Sequence, residues 1–203
     1  RSAGQCNLTG SYNTAVGDLA LRFNTNSNNT AVGASSLSAN TTGTCNTAVG
    51  RSALGANTTG YSNISIGAYS SDANTTGHQN TAVGYKALTT ATTSCGNVAV
   101  GMCSLHNHTT GGDNNAIGMC SQFATTTGAA NNSMGHKSME CNTTGAINVA
   151  IGEQALRYNT TASNNTAVGY TALRDNTTGT SNVAVGTCAL RLGTTGVSNT
   201  AIG

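Results

Sequence analysis

The amino-acid sequence predicts an all-β protein: a parallel β-solenoid of seventeen residues per coil and about twelve coils. Three observations predict it. A glycine closing a Val-Gly or Ile-Gly pair recurs along the whole chain, at Gly17, Gly33, Gly50, Gly67 and onward to Gly203, spaced 16 residues once and 17 thereafter. Each interval holds a short β-forming run and then Asn/Thr/Gly turn chemistry, with no apolar stripe of helical period. The composition is far from that of a conventional globule: of 203 residues only 7% are charged, 26 are Gly, and Pro and Trp are absent. Ordinary soluble domains carry about 25% charged residues, and disordered chains are usually rich in charge and Pro.

Aligned on that glycine, the unit reads N-T-A-V-G-x-x-A-L-x-x-N-T-T-G-x-x, as in Asn46 to Ser62 and Asn165 to Ser181. Thr-Ala-Val is the strand, bounded by residues that favour turns. Val or Ile precedes the glycine in every unit except at Met134. Four residues after the glycine comes Leu in most units, with Ser71 and Gln122 as polar departures. One Val or Ile, one Ala and one Leu per unit is too little core to fold alone. Stacked units bury a continuous core, the logic of solenoids. The Thr-Thr-Gly segment then turns the chain, with Asn and Gly taking positive φ at the corners. At about 4.8 Å per strand the stack would be a rod roughly 55–60 Å long.

Four residues before the glycine an Asn recurs in all twelve units: Asn13, Asn29, Asn46, Asn63, Asn80, Asn97, Asn114, Asn131, Asn148, Asn165, Asn182 and Asn199. In-register stacking predicts a structural Asn ladder that satisfies its own amides along the axis and needs no ligand. Residues 1–203 form a single repeat array. It opens one residue after a repeat boundary and closes on one, which predicts a segment of a longer fibre. A column of Ala (Ala15, Ala31, Ala48, Ala82) backs a column of Val (Val16, Val32, Val49, Val83), so both sheet faces are expected to be covered. The rod's interior covers one and a neighbouring chain the other.

The core N-T-A-V-G-x-x-A-L resembles the head repeats of trimeric autotransporter adhesins of the YadA type. It is more similar still to the N-T-A-I-G-Y-x-A-L-x-x-N-T-T-G arrays of tail-fibre-like proteins from phages, bacteria and large viruses, which often precede a self-cleaving chaperone domain. The resemblance spans the whole chain. It implies a left-handed parallel β-roll, commonly trimeric, displayed outside the cell or virion. The seventeen-residue period is longer than that of autotransporter heads, and the sequence contains no stalk, anchor or chaperone domain.

Candidate chemistry is sparse. His78, His106, His108 and His136 fall in four different columns, and no third ligand stands at a metal-binding spacing beside His106 and His108. The six acidic residues are scattered with no acid–base pair. No cofactor is expected, and no enzymatic activity. Cys103 and Cys120 occupy equivalent positions in consecutive coils, within disulfide reach, though stacked side chains point in parallel. A disulfide and a column of small residues are both open readings. The seven Cys include Cys6, and the odd number leaves a thiol for an interchain link or a free state. Asn-x-Ser/Thr acceptors, among them Asn7, Asn40, Asn57, Asn74, Asn142, Asn159 and Asn176, spell a glycan ladder or merely turn chemistry.

A net charge of +2 makes no nucleic-acid face, and no apolar run is long enough to insert into a membrane as a helix. The leading expectation is an extracellular structural fibre or adhesin module at a cell or virion surface, self-associating as a homotrimer or end-to-end filament. The alternatives are a tail-fibre segment that binds glycans or a cell-surface receptor, and an ice-binding solenoid built on the Thr columns. Tyr61, Tyr69, Tyr85 and Tyr170 form no single column. Outward variable positions, Arg51, Tyr85, Lys86, Lys137 and Arg191, are the candidate contacts.

Overall fold

The computed structural model describes residues 3–4 and 9–203; Cys6 and Asn7 lie outside the described residues. Twelve three-residue strands, from β1 (Thr14–Val16) and β2 (Thr30–Val32) through β6 (Val98–Val100) and β7 (Asn115–Ile117) to β12 (Thr200–Ile202), form one sheet in sequence order. All neighbouring strands are parallel. The register advances one coil at a time, with Thr47 opposite Ile64 and Val98 opposite Asn115. The protein is a parallel β-solenoid, and no helix occurs among the described residues.

The one short coil keeps register, with Thr14 opposite Thr30. The missing residue comes out of the Asn-Thr-Thr-Gly corner, which here reads Asn24-Thr25-Asn26-Ser27. The Asn26 carbonyl accepts hydrogen bonds from the side-chain amides of Asn24 (2.6 Å) and Asn13 (2.8 Å). In full-length coils the corner glycine's carbonyl takes that part, as Gly60 does for Asn57 and Asn46.

The strand's inside and outside differ from the sequence expectation. Its middle Ala points into the rod and is fully buried at Ala31, Ala48, Ala82 and Ala99. The Val or Ile beside it points out and is half-buried or exposed. Alternation in a strand leaves no other choice once Ala is inside. The core is therefore Ala, the Ala or Ser three residues past the glycine, and Leu. It falls into three apolar clusters. Between the first two sits Ser65, whose hydroxyl bonds the Ser70 carbonyl at 2.8 Å. Between the last two, Ser121, Ser133 and Ser138 join with Gln122, whose Nε2 donates to Ser133 Oγ at 2.9 Å. Ser65, Ser133 and Gln122, which replace apolar residues, are thus bonded inside the rod, apart from Gln122 Oε1.

The corners also differ. Positive φ falls on the strand-closing glycine (Gly118, φ 130°), on non-glycine residues two and four positions later, such as Ser52 (55°) and Leu54 (49°), and on the residue ahead of the first Asn column, which is Asn only at Asn28 and Asn164 (both 62°). Left-handed leucine is uncommon. It occurs here because it turns the side chain into the core while the Leu54 N–H pairs with Ser70 O on the next coil (3.1 Å) and its carbonyl accepts from Asn57 N (3.1 Å). Gly60 lacks positive φ. It is glycine because a Cβ there would lie 2.4 Å from Gly77 O on the next coil.

Candidate functional site

The Asn column before each strand runs through the interior, buried from Asn29 to Asn182. Asn has one acceptor oxygen with two lone pairs and one amide with two hydrogens, and this column uses all of them. Asn97 Oδ1 accepts both the backbone N–H (3.0 Å) and the Nδ2 (3.1 Å) of Asn114. Asn114 Nδ2 also donates to the corner carbonyl of Gly128 at 2.9 Å. The backbone N–H bond recurs from Asn13 and Asn29 at one end to Asn182 and Asn199 at the other, joined by the amide bond in most steps but not at Asn13–Asn29 or Asn148–Asn165. The side chain thereby pairs the backbone N–H just ahead of the strand.

A second Asn column, which sequence reasoning took for turn or glycan chemistry, lies at the Asn of Asn-Thr-Thr-Gly. Asn40, Asn57, Asn74, Asn142, Asn159 and Asn176 are all buried. Each Nδ2 donates one hydrogen to its own corner carbonyl. The other goes to the equivalent side chain one coil back, as from Asn57 to Asn40 Oδ1 (2.8 Å) and from Asn159 to Asn142 Oδ1 (2.9 Å). This corrects the glycan-ladder reading for these six residues: the nitrogen that would carry the sugar is buried with both hydrogens engaged. The signal was available in the sequence as a seventeen-residue recurrence, masked by a motif that explains itself locally.

The following Thr pair divides in two. The first hydroxyl donates along the axis to the next coil's carbonyl, as from Thr58 to Thr75 O (3.1 Å) and Thr143 to Thr160 O (2.9 Å). The second, at Thr59, Thr76, Thr93 and Thr110, is exposed. One Thr file faces water.

Cys103 and Cys120 stack in register, yet both thiols are free, as are Cys45, Cys95, Cys141 and Cys188. The disulfide reading of that pair is thereby corrected. The parallel side chains sit about one strand spacing apart, whereas a disulfide needs Cβ atoms about 3.8 Å apart. Burial pushes the thiols of Cys120 and Cys141 up from the ordinary value. His108 points inward and occupies the second Asn column, with Nε2 on the Gly111 carbonyl. His106 stays at the surface, its ring stacked on Phe123 at 5.0 Å. They do not converge, and no group of three or more His, Cys, Asp or Glu comes together among the described residues.

Of the candidate contacts, Arg51, Tyr85 and Lys86 come together. The Arg51 guanidinium lies 5.4 Å from the Tyr69 ring, Tyr69 meets Tyr85 edge-on at 6.3 Å, and the Lys86 ammonium lies 5.5 Å from the Tyr85 ring. The two tyrosines stand one residue apart in the repeat, so a column-by-column reading separated them. Lys137 pairs with Glu140 at 3.5 Å, and Glu140 binds Arg157 at 2.6 Å. Arg191 lies apart, its Nε buried without a partner.

One surface feature continues over every strand, and it is apolar. The outward Val, Ile or Met of each strand stacks on its equivalents from β1 to β12, with Ile66 41%, Met134 49% and Ile151 42% exposed. No protein family, curated protein or solved structure compared with the chain matches it.

Proposed function

We propose that this protein is a rigid extracellular fibre or adhesin module whose rods associate side by side along the outward Val/Ile stripe. The stripe carries the reading. Parallel sheets are normally covered on both faces, and an apolar strip continued over every strand far exceeds the scattered apolar residues of a monomer's surface. Uniform coils and two internal amide columns suit a protein whose work is length and stiffness. The resemblance to adhesin heads and tail-fibre arrays points to display at a cell or virion surface. No described helix is long and apolar enough to cross a membrane.

Light scattering on the purified chain tests the reading. Multi-chain rods are expected, falling to single chains when Ile66, Ile117 and Ile151 are all replaced by Lys with circular dichroism unchanged. A parent chain that is monomeric at micromolar concentration overturns it.

The patch of Arg51, Tyr69, Tyr85 and Lys86 favours a second reading, a segment that binds glycans, since sugars stack on exposed aromatic rings. Binding on a glycan array that disappears in Tyr69→Ala, Tyr85→Ala would support it.

A further inference from the structure

Two consecutive coils carry the same four residues, Gly101-Met102-Cys103-Ser104 and Gly118-Met119-Cys120-Ser121. Stacking turns this repetition into a sulfur cluster. The Cys103 and Cys120 N–H groups each donate to the preceding coil, to Tyr85 O and Met102 O, both at 3.0 Å, so the two segments lie in register. Their φ angles match, 56° and 55°, and the side chains therefore leave the rod in parallel. The same column elsewhere shows how close such side chains come, with Thr171 Oγ1 and Cys188 Sγ 3.2 Å apart. Met102 and Met119, one residue earlier in each coil, are 46% and 42% exposed.

We propose that Met102, Cys103, Met119 and Cys120 form a surface site for one soft monovalent cation of the copper(I) class, bridging the two stacked thiolates. The spacing that is wrong for a disulfide is right for such a bridge. A two-coordinate ion holds its two thiolates on opposite sides, so the sulfurs stand two metal–sulfur bonds apart, a separation of the same order as the strand spacing of about 4.8 Å. Thiolate and thioether together select soft ions over magnesium or calcium. On binding, two S–H bonds break, both protons pass to water and two sulfur–metal bonds form. No electron is transferred, and the complex carries one negative charge. Lys86 and Lys137 continue the cysteine column on either side of the pair; Lys137 is itself paired with Glu140 at 3.5 Å, so Lys86 is the ammonium left to complement that charge. A bound ion would clip two coils together across the sheet.

The test uses a chain in which Cys6, Cys45, Cys95, Cys141 and Cys188 are replaced by Ser, titrated with silver(I), and with copper(I) under argon, against a competing chelator. One ion per chain is expected by native mass spectrometry, with both remaining thiols protected together from alkylation. Adding Cys103→Ser or Cys120→Ser should reduce retention to that of the thiol-free chain. Serine is native to that position at Ser35 and Ser52, so the coil should hold. Met102→Ala, Met119→Ala should weaken binding on the order of 10-fold, alanine being native there at Ala34 and Ala68. If the multiple variant does not fold, the parent chain and its Cys103→Ser, Cys120→Ser variant give the same readout as a difference of one tightly held ion. Two ions per chain, one ion linking two chains, or equal retention by the single-cysteine variants would overturn the proposal.

Discussion

The two asparagine columns run side by side inside one rod but tolerate change very differently. The column ahead of the strands is Asn in every coil. The corner column has Ala91, His108, Thr125 and Gly193 where Asn would stand. Their hydrogen bonds explain the contrast. In the first column the Oδ1 accepts a backbone N–H of the next coil, and in most coils its amide as well. In the second it accepts only a side chain. Losing a member of the first column strands a buried backbone donor; losing one of the second strands a side-chain acceptor. Those acceptors can be named. Asn74 Oδ1 and Asn176 Oδ1, each facing the coil whose equivalent is Ala91 or Gly193, are buried without a donor.

The sharpest way to break this comparison is one substitution in each column. Asn114→Ala removes the acceptor of the Asn131 N–H and the amide donor to Gly128 O. Two buried backbone groups left unpaired should cost about 4 kcal/mol. Asn57→Ala leaves Asn40 Oδ1 without its donor and takes one acceptor from the Asn74 amide, which keeps Gly77 O, while Gly60 O keeps the amide of Asn46. About 2 kcal/mol is expected there. Chemical denaturation of both variants measures the difference. Equal losses would mean that backbone pairing does not set the two columns apart.

His108 offers a second test, through pH. Burial holds its imidazole neutral and its pKa below the ordinary 6.5, outweighing the opposing hydrogen bond to Gly111. Nδ1 is buried without a partner. The unfolded chain takes up a proton near pH 6.5 and the folded one only at lower pH. The stabilising contribution is therefore complete above about 6.5 and shrinks as the pH falls below it, by about 1.4 kcal/mol per unit until the folded value is reached. His108→Asn should flatten this slope between pH 7.5 and 5.5 relative to the parent, because it removes the titrating group and puts at Gly111 O the amide that other corners use. An unchanged slope would locate the acid sensitivity elsewhere.

What the sequence revealed followed from its period. A fixed seventeen-residue step dictates parallel register, and an Asn in every coil must meet its own kind, so the coil, the sheet order and the first column were all legible. Orientation was not. Ala and Val are both apolar, and a three-residue strand gives no contrast to say which faces in. Left-handed leucines, which no propensity suggests, decide that Leu54 and Ala48 share the interior while Val49 looks out. The second column was hidden because Asn-Thr-Thr-Gly already has local meanings. Tyr69 and Tyr85 were assigned to separate columns, yet long side chains on adjacent positions meet across a gap of one coil.

The smallest expected effect is a gain. Ala91 and Ser94 replace the Asn and Gly of the usual corner, and Ser94 Oγ is itself buried without a partner. A glycine matters at that corner because a Cβ at Gly77 would lie 2.3 Å from Asn74 Oδ1. Restoring both residues, Ala91→Asn with Ser94→Gly, should let the new amide donate to Asn74 Oδ1 and to its own corner carbonyl, while removing the orphaned hydroxyl. The pocket is sized for the change, since the equivalent space in neighbouring coils holds Asn57 and Asn74 at 0% and 2% exposure. The new Oδ1 faces His108 and meets no amide donor, and the new amide must be desolvated and ordered, so the net gain is at most about 1 kcal/mol, read as a higher denaturation midpoint with unchanged slope. Ala91→Asn alone should gain less, although Asn159 opposite Ala162 shows that an amide and a corner Cβ can coexist. A double variant no more stable than the parent would mean that the interruption at Ala91 is not a defect in the column but a packing solution of its own.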